Sequence, residues 1–311
     1  MTGRPLPELP LATTHQESTG PVATRGLAFT GIHGNRLVGH RWSPATPTLP
    51  ALLMLHGGGQ TRHSWDAAAA RLSAAGADVT TYDARGHGDS DRAPDGDYGL
   101  ETFAKDLATV LETFATPPVL LGASLGGLSA LLAAGEFGAP ASGLVLVDVA
   151  PHASRGGTHR ILSFMRRHAD GFASLDEVAD AINEYNPRPR ERRLDGVRKN
   201  VRRGQNGRWY WHWDPAFLEH GSEPTQASLT DRLDAAAERL TIPTLLIRGT
   251  ESDVVTPEAA RDFLARVPTA TLVEVSSGHM VVGDDNDVFT TSVLPFVSSI
   301  ARAGSADSSA G

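Results

Sequence analysis

The chain has 311 residues, 40% of them hydrophobic, enough to bury a substantial core as one large α/β domain or one domain carrying an insertion. Its formal charge of −8 argues against a nucleic-acid partner, whose binding face needs net positive charge, and leaves a small molecule as the expected one. With no cysteine, disulfides, thiolate metal sites and a cysteine nucleophile are excluded; with no run of about 18 apolar residues and no signal-peptide pattern, no membrane contact and a cytoplasmic location are expected.

Residues 1–24 mix Pro, Thr, Ser and Gly without periodicity, and residues 303–311 are Ala, Gly, Ser and Asp, so both ends are expected to be disordered tails. Leu27 to Ile32 and Arg36 to Trp42 flank His33-Gly34-Asn35 and predict an opening β-hairpin. Short apolar runs then recur at 51–55, 77–82, 119–121, 144–147, 244–247 and 271–275, mostly separated by segments of helical length. That alternation predicts an α/β fold, a mostly parallel sheet flanked by helices. Between 100 and 114 the apolar residues Leu100, Phe103, Ala104, Leu107, Val110, Leu111 and Phe114 form the stripe of an amphipathic helix. Residues 151–241 interrupt the rhythm, with no strand that would continue the sheet, a capping box at Ser174 to Glu177 and a second helix over 233–240. They are expected as a mostly helical cap inserted into a core made of 25–150 and 242–302.

The sharpest local signal is Val119 to Gly127, an apolar strand running through Gly122-Ala123-Ser124-Leu125-Gly126 into a helix-forming stretch. Strand, tight turn and helix are the context a G-x-S-x-G nucleophile elbow needs, since the serine must project from a strained turn above the sheet edge. A serine hydroxyl is a poor nucleophile at neutral pH, so it needs an imidazole to take its proton and a carboxylate to hold that imidazole's tautomer. His279 lies just past the last expected strand, where ligand chemistry concentrates in open α/β sheets. For the acid, Asp253 follows the strand at 244–247 and gives the chain order Ser, Asp, His; Asp148, ending the strand at 144–147, is the main rival, and Glu251 is two residues away. Oxyanion donors are expected from Leu125 N–H and from the loop His56-Gly57-Gly58-Gly59-Gln60, with Gly58 first and Gly59 next.

Taken together and in order, His56-Gly57-Gly58-Gly59, Asp83-Ala84-Arg85-Gly86-His87-Gly88-Asp89-Ser90, the Ser124 elbow, Asp253 and His279 resemble the α/β-hydrolase fold family over about residues 27–300. The resemblance implies an eight-stranded, mostly parallel sheet, a Ser-His-Asp triad and a cap between the sixth and seventh strands, where 151–241 falls. It departs in one place: family members often carry the acid three residues after the glycine that ends the strand, and Gly249 plus three is Ser252. The run from Asp83 to Ser90 reads as a locked turn rather than a substrate contact.

These readings converge on a serine hydrolase acting on a carboxylic ester or lactone, with no metal or organic cofactor required. Hydrolysis of a carbon–carbon bond, perhydrolase or lyase chemistry on the same triad, and a small-molecule receptor with little turnover stay open. The cap carries three of the five tryptophans, at 209, 211 and 213, and nine basic residues between Arg188 and Arg208, so the substrate is expected to be apolar or partly anionic.

Overall fold

The computed structural model describes residues 22–168, 170–185, 194–219, 226–279 and 286–308. Strands β1 (Val22–Thr30) and β2 (Arg36–Pro44) form the antiparallel hairpin, in register from Val22 opposite Pro44 to Thr30 opposite Arg36. The alternating segments then supply β3 (Leu52–Leu55), α1 (Asp66–Ala74), β4 (Val79–Tyr82), α2 (Leu100–Leu111), β5 (Val119–Ala123), α3 (Leu125–Gly135) and β6 (Gly143–Val147). Later in the chain come α7 (Gln226–Glu238), β9 (Thr244–Gly249), α8 (Pro257–Arg266), β10 (Ala270–Val275) and α9 (Asn286–Ser308). One eight-stranded sheet results, in the order β1-β2-β4-β3-β5-β6-β9-β10, antiparallel at β1-β2-β4 and parallel from β4 onward.

Every residue of β3, β4, β6 and β9 is buried, as strands covered on both faces must be. Their period of two divides the core. Leu53, Leu55, Leu120, Leu144, Leu146 and Leu246 pack under α2, α3, α7 and α8, while Leu52, Met54, Leu121, Val145, Val147 and Ile247 pack under α1 and α9. Each such side chain contributes about 1.5–3 kcal/mol by burial.

The insertion between β6 and β9 holds α4 (Arg155–Arg167), α5 (Leu175–Tyr185), α6 (Leu194–Arg198), β7 (Val201–Arg203) and β8 (Trp209–Trp211), then a single 3₁₀ turn at Pro215–Leu218. It has a core of its own, built from Met165, Phe172, Val178, Ala181, Val201, Trp211 and Trp213. The Trp211 and Trp213 rings stack at 5.0 Å. Most of the tryptophan cluster therefore fills the insertion's interior.

The expected boundaries shift in three places. The first strand begins at Val22 rather than after 24, because Val22 to Thr24 pair with Trp42 to Pro44, a long-range match that tail-like composition conceals. The insertion is mostly helical and adds a small antiparallel sheet, β7 and β8, separate from the main one. Its last helix, α7, belongs with the main core: Leu233, Ala236 and Ala237 join the cluster around α3, and a Cβ on Gly135 of α3 would lie 2.0 Å from the Ala236 carbonyl oxygen. The last helix runs to Ser308, so 303–308 continue α9 instead of forming a tail. Residues 1–21 and 309–311 lie outside the described residues. No helix among those described is long and apolar enough to cross a membrane.

Below the sheet's carboxyl edge, the loop after β4 is anchored by an ion pair out of contact with water. Arg85 is fully buried and meets Asp106 of α2 twice, Nε to Oδ2 and Nη2 to Oδ1, each at 2.7 Å. Asp106 Oδ1 also accepts from Ile32 N–H at 2.9 Å, so one carboxylate ties together the hairpin, the loop and a helix. Removing one partner of such a pair strands the other's charge. Arg85→Ala is expected to lower unfolding free energy by about 3–5 kcal/mol in urea denaturation; a loss under about 1 kcal/mol would mean that water reaches Asp106 and the anchor is dispensable.

Candidate active site

Strand β5 is all apolar up to Ala123, and α3 starts at Leu125, so Ser124 alone makes the turn. It does so at φ 46° and ψ −116°, a backbone conformation that costs a non-glycine residue of order 1–3 kcal/mol and persists only where packing enforces it. The packing is backbone against backbone. A Cβ on Gly122 would lie 2.5 Å from Gly127 Cα, and one on Gly126 would lie 2.5 Å from the Leu55 carbonyl oxygen, so only glycine lets strand and helix close this tightly.

Asp148 follows β6 as Ser124 follows β5, and the residues before them, Val147 and Ala123, are register partners. The two side chains therefore start from adjacent strand ends. Asp148 is fully buried and also takes positive φ, 48°. Three donors converge on its carboxylate: Gly249 N–H at 2.9 Å on Oδ1, and Ser252 Oγ at 2.5 Å with His279 Nδ1 at 2.8 Å on Oδ2. Because a carboxylate only accepts, Nδ1 carries the proton and Nε2 keeps its lone pair. Among the described residues neither Nε2 nor Ser124 Oγ has a hydrogen-bond partner. Such bonds often tighten only when substrate arrives.

Asp253, the expected acid, is placed elsewhere. Its Oδ1 accepts from Arg160 Nη2 of α4 at 2.9 Å, and its side chain is 39% exposed. The loop after β9 turns at Ser252, whose hydroxyl caps the turn by accepting from the amides of Val254 and Val255 while donating to Asp148. The Asp253 backbone then lies under α4, where a Cβ on Gly157 would come within 2.5 Å of its carbonyl oxygen. The structure thus brings Asp148, not Asp253, to His279. The serine at 252 was the signal: a hydroxyl three residues past Gly249 cannot orient an imidazole as a carboxylate does, but it can support a carboxylate reaching in from the neighbouring strand.

The loop His56-Gly57-Gly58-Gly59-Gln60 leaves β3 and passes beside the serine, close enough that a Cβ on Gly57 would sit 3.4 Å from Ser124 Cβ. Its amides have distinct fates. Gly57 N–H donates to Gln60 Oε1 at 3.0 Å and Gly59 N–H to His87 Nε2 at 3.1 Å, while Gly58 N–H has no partner among the described residues. Leu125 N–H, in the first turn of α3, has no carbonyl below it to bond. Two open donors, Gly58 and Leu125, therefore flank Ser124, and Gly59 is withdrawn from that role.

Two buried imidazoles, which the motif reading did not assign, hold this loop. His56 Nδ1–H donates to Gly57 O at 2.8 Å and its Nε2 accepts from Ala84 N–H at 3.0 Å. His87 Nδ1–H donates to Arg85 O at 2.9 Å. Burial pushes His56 down to about 4, and burial together with the neighbouring His56 pushes His87 down to about 3. The other conspicuous side chains of the run lock the turn and tie it to its neighbours: Asp83 accepts from Arg62 and from the Asp89 amide, and Ser90 Oγ donates to Asp83 O while accepting from Val38 N–H. From above, the insertion covers the loop. A Cβ on Gly58 would lie 3.3 Å from Phe217, and one on Gly59 2.8 Å from Met165 and 3.4 Å from Trp213.

For metals, the described residues offer one group of suitable ligands, His152, Asp234 and Asp262. Arg266 already pairs with both carboxylates there, and none of the three touches the serine or its loop.

Comparison with known proteins agrees with the fold. The model of the alpha/beta hydrolase fold matches residues 50–285. The chain is 32% identical over 256 residues to Esterase Rv0045c of Mycobacterium tuberculosis, covering 78% of this chain and 80% of that protein. It is 29% identical over 264 residues to the sn-1-specific diacylglycerol lipase ABHD11 of Mus musculus, covering 80% and 81%. The solved structure of the M. tuberculosis esterase superposes with a TM-score of 0.69 at 28% identity over 90% of this chain and 93% of that one. A structure of E-2-(acetamidomethylene)succinate hydrolase shares the fold with a TM-score of 0.74 at 20% identity, over 88% and 100%.

The buried imidazoles set an acid limit on stability. Unfolded histidine takes up its proton near pH 6.5, whereas His87 and His56 in the fold resist it until about 3 and about 4. Each therefore removes stability as pH falls from about 6.5 toward 4, at about 1.4 kcal/mol per pH unit. His40 and His212, also held low by burial, act in the same direction. Urea unfolding near pH 7 and near pH 5 should differ by on the order of 3 kcal/mol; equal values would show that both imidazoles gain protons freely within the fold.

Proposed function

Because the chain belongs to the α/β-hydrolase fold family, we propose that this hydrolase cleaves a carboxylic ester or lactone through an acyl-enzyme formed on Ser124. The observation that carries the reading is the 2.8 Å contact from His279 Nδ1 to Asp148, at a strand end adjacent to the strained serine. Asp148 selects the tautomer in which Nε2 is the base. His279 removes the Ser124 proton as Oγ attacks the carbonyl carbon, and the negative charge that forms on the carbonyl oxygen is met by Gly58 N–H and Leu125 N–H. His279 then protonates the departing alkoxide, leaving the acyl group on Ser124 and releasing the alcohol. Water, deprotonated by the same Nε2, attacks the acyl-serine and releases the acid, restoring the serine. Each donor to the developing anion is worth roughly a hundred- to a thousandfold in turnover.

Support for an ester comes from the relatives, one named an esterase and another a diacylglycerol lipase. Support for an apolar acyl part comes from Phe217, Leu125 and Met165 around the loop. An anionic group has weaker support, since four of the five described members of the basic run already have partners. Arg198 and Arg203 lie over Trp209, Lys199 meets Asp66, and Arg208 donates to the carbonyls of Asp170 and Gly171. Residues 188–193 of that run lie outside the described residues.

Intact mass after fluorophosphonate treatment tests the nucleophile: one adduct on the wild type and none on Ser124→Ala are expected, and an unlabelled, folded wild type overturns the reading. The acid is tested by kcat on p-nitrophenyl butyrate. Asp148→Asn, which leaves the shape but presents the wrong hydrogen-bonding face, should fall roughly 10³- to 10⁴-fold, while Asp253→Asn stays within about threefold. The reverse ranking restores Asp253 as the acid.

A further inference from the structure

His87 sits where the insertion and the oxyanion loop meet, and both of its ring nitrogens are committed. Nδ1–H donates to its own loop at Arg85 O, at 2.9 Å, which leaves Nε2 as the acceptor for Gly59 N–H at 3.1 Å. Its low proton affinity keeps that lone pair available at any ordinary working pH.

The same residue is held from the insertion's side. His87 and Trp213 form an antiparallel bridge, flanked by Gly88 N–H donating to His212 O and Asp214 N–H donating to Gly86 O, both at 2.7 Å. The Phe217 ring meets the imidazole edge-on at 4.9 Å. Asp214 is fixed in turn by the Tyr98 hydroxyl, 2.8 Å from its Oδ2. Backbone bonds and a ring contact from residues 212–217 therefore place the imidazole, and the imidazole places Gly59.

We propose that His87 is a positioning residue that transmits the seating of the cap to the oxyanion loop, holding Gly59 N–H so that Gly58 N–H stays aimed beside Ser124. The inference rests on the acyl-enzyme reading of that site. Its physical basis is competition for acceptors: Gly59 is half-buried under the insertion, and the imidazole is the acceptor that fixes the direction of its N–H. Without the imidazole, the glycines on both sides let the Gly58–Gly59 peptide rotate toward another acceptor, and the neighbouring Gly58 amide loses its fixed direction. A donor that must be re-aimed during the reaction stabilises the transition state less, while substrate binding in the ground state is little changed.

Two variants separate positioning from mere structure. In His87→Asn the amide reaches Arg85 O but falls short of Gly59; in His87→Gln the longer side chain brings an oxygen to the Nε2 position. With p-nitrophenyl butyrate, His87→Asn is expected to lower kcat about ten- to a hundredfold with KM within about threefold, and His87→Gln to recover most of the loss. Urea unfolding checks that both remain folded, and His87→Phe, which fills the ring's volume without an acceptor, replaces His87→Asn should it fail to fold. Equal kcat in wild type and the acceptor-free variant, or equal losses in the asparagine and glutamine variants, overturns the proposal. Fluorophosphonate labelling of the wild type keeps the two levels apart: a labelled wild type with indifferent His87 variants sinks only the role of His87, whereas an unlabelled wild type sinks the acyl-enzyme reading beneath it.

Discussion

A carboxylate with no access to water draws its surroundings toward it. Asp148 is such a group, and its burial is tolerable because Gly249 N–H, the Ser252 hydroxyl and His279 Nδ1–H all point at its two oxygens. Those donors come from the end of β9, from the loop after it and from the loop after β10. One buried acceptor thus gathers the carboxyl ends of three parallel strands, with the serine turn at the end of a fourth beside it. A parallel sheet makes this possible, since all its strands end at the same edge.

The other half of the site is assembled from the opposite direction. The glycine loop leaves β3 with little side-chain bulk to steady it, so its shape is imposed by acceptors around it: Gln60 for one amide, His87 for another. The loop after β4 supplies His87, and that loop is pinned from below by the Arg85–Asp106 pair. Ionic and neutral groups divide the work. The charged pair is buried where nothing reacts, while the two imidazoles next to the site stay uncharged and act as fixed donors and acceptors.

The insertion gains its place in the same way. It folds around its own tryptophans, yet residues 212–217 pair with the loop after β4 and rest on the glycines after β3. The contacts made by Phe217, Met165 and Trp213 couple the covering of the site to the shape of its floor.

Much of this was legible in the chain. The elbow around Ser124, the glycine loop after the first buried strand, the amphipathic helix at 100–114 and the alternation of strands and helices are local patterns, set by spacing and by residues whose backbone freedom or periodicity is their own property. So was the position of His279 after the last strand. The acid was not legible in that way: Asp253 and Asp148 each follow a strand at a reasonable place, and the choice depends on where a loop turns after β9 and on what Ser252 does with its hydroxyl. The partition of the insertion was hidden too, since α7 reads as one more helix of the cap until Gly135 and Ala236 are seen to touch. Periodicity and chain order carried the fold and placed Ser124, His279 and the glycine loop at the strand ends where the structure has them. Which carboxylate meets the imidazole, which glycine amide stays open and which histidine holds its neighbour came from the folded chain, because each depends on side chains from distant segments reaching the same acceptor or donor.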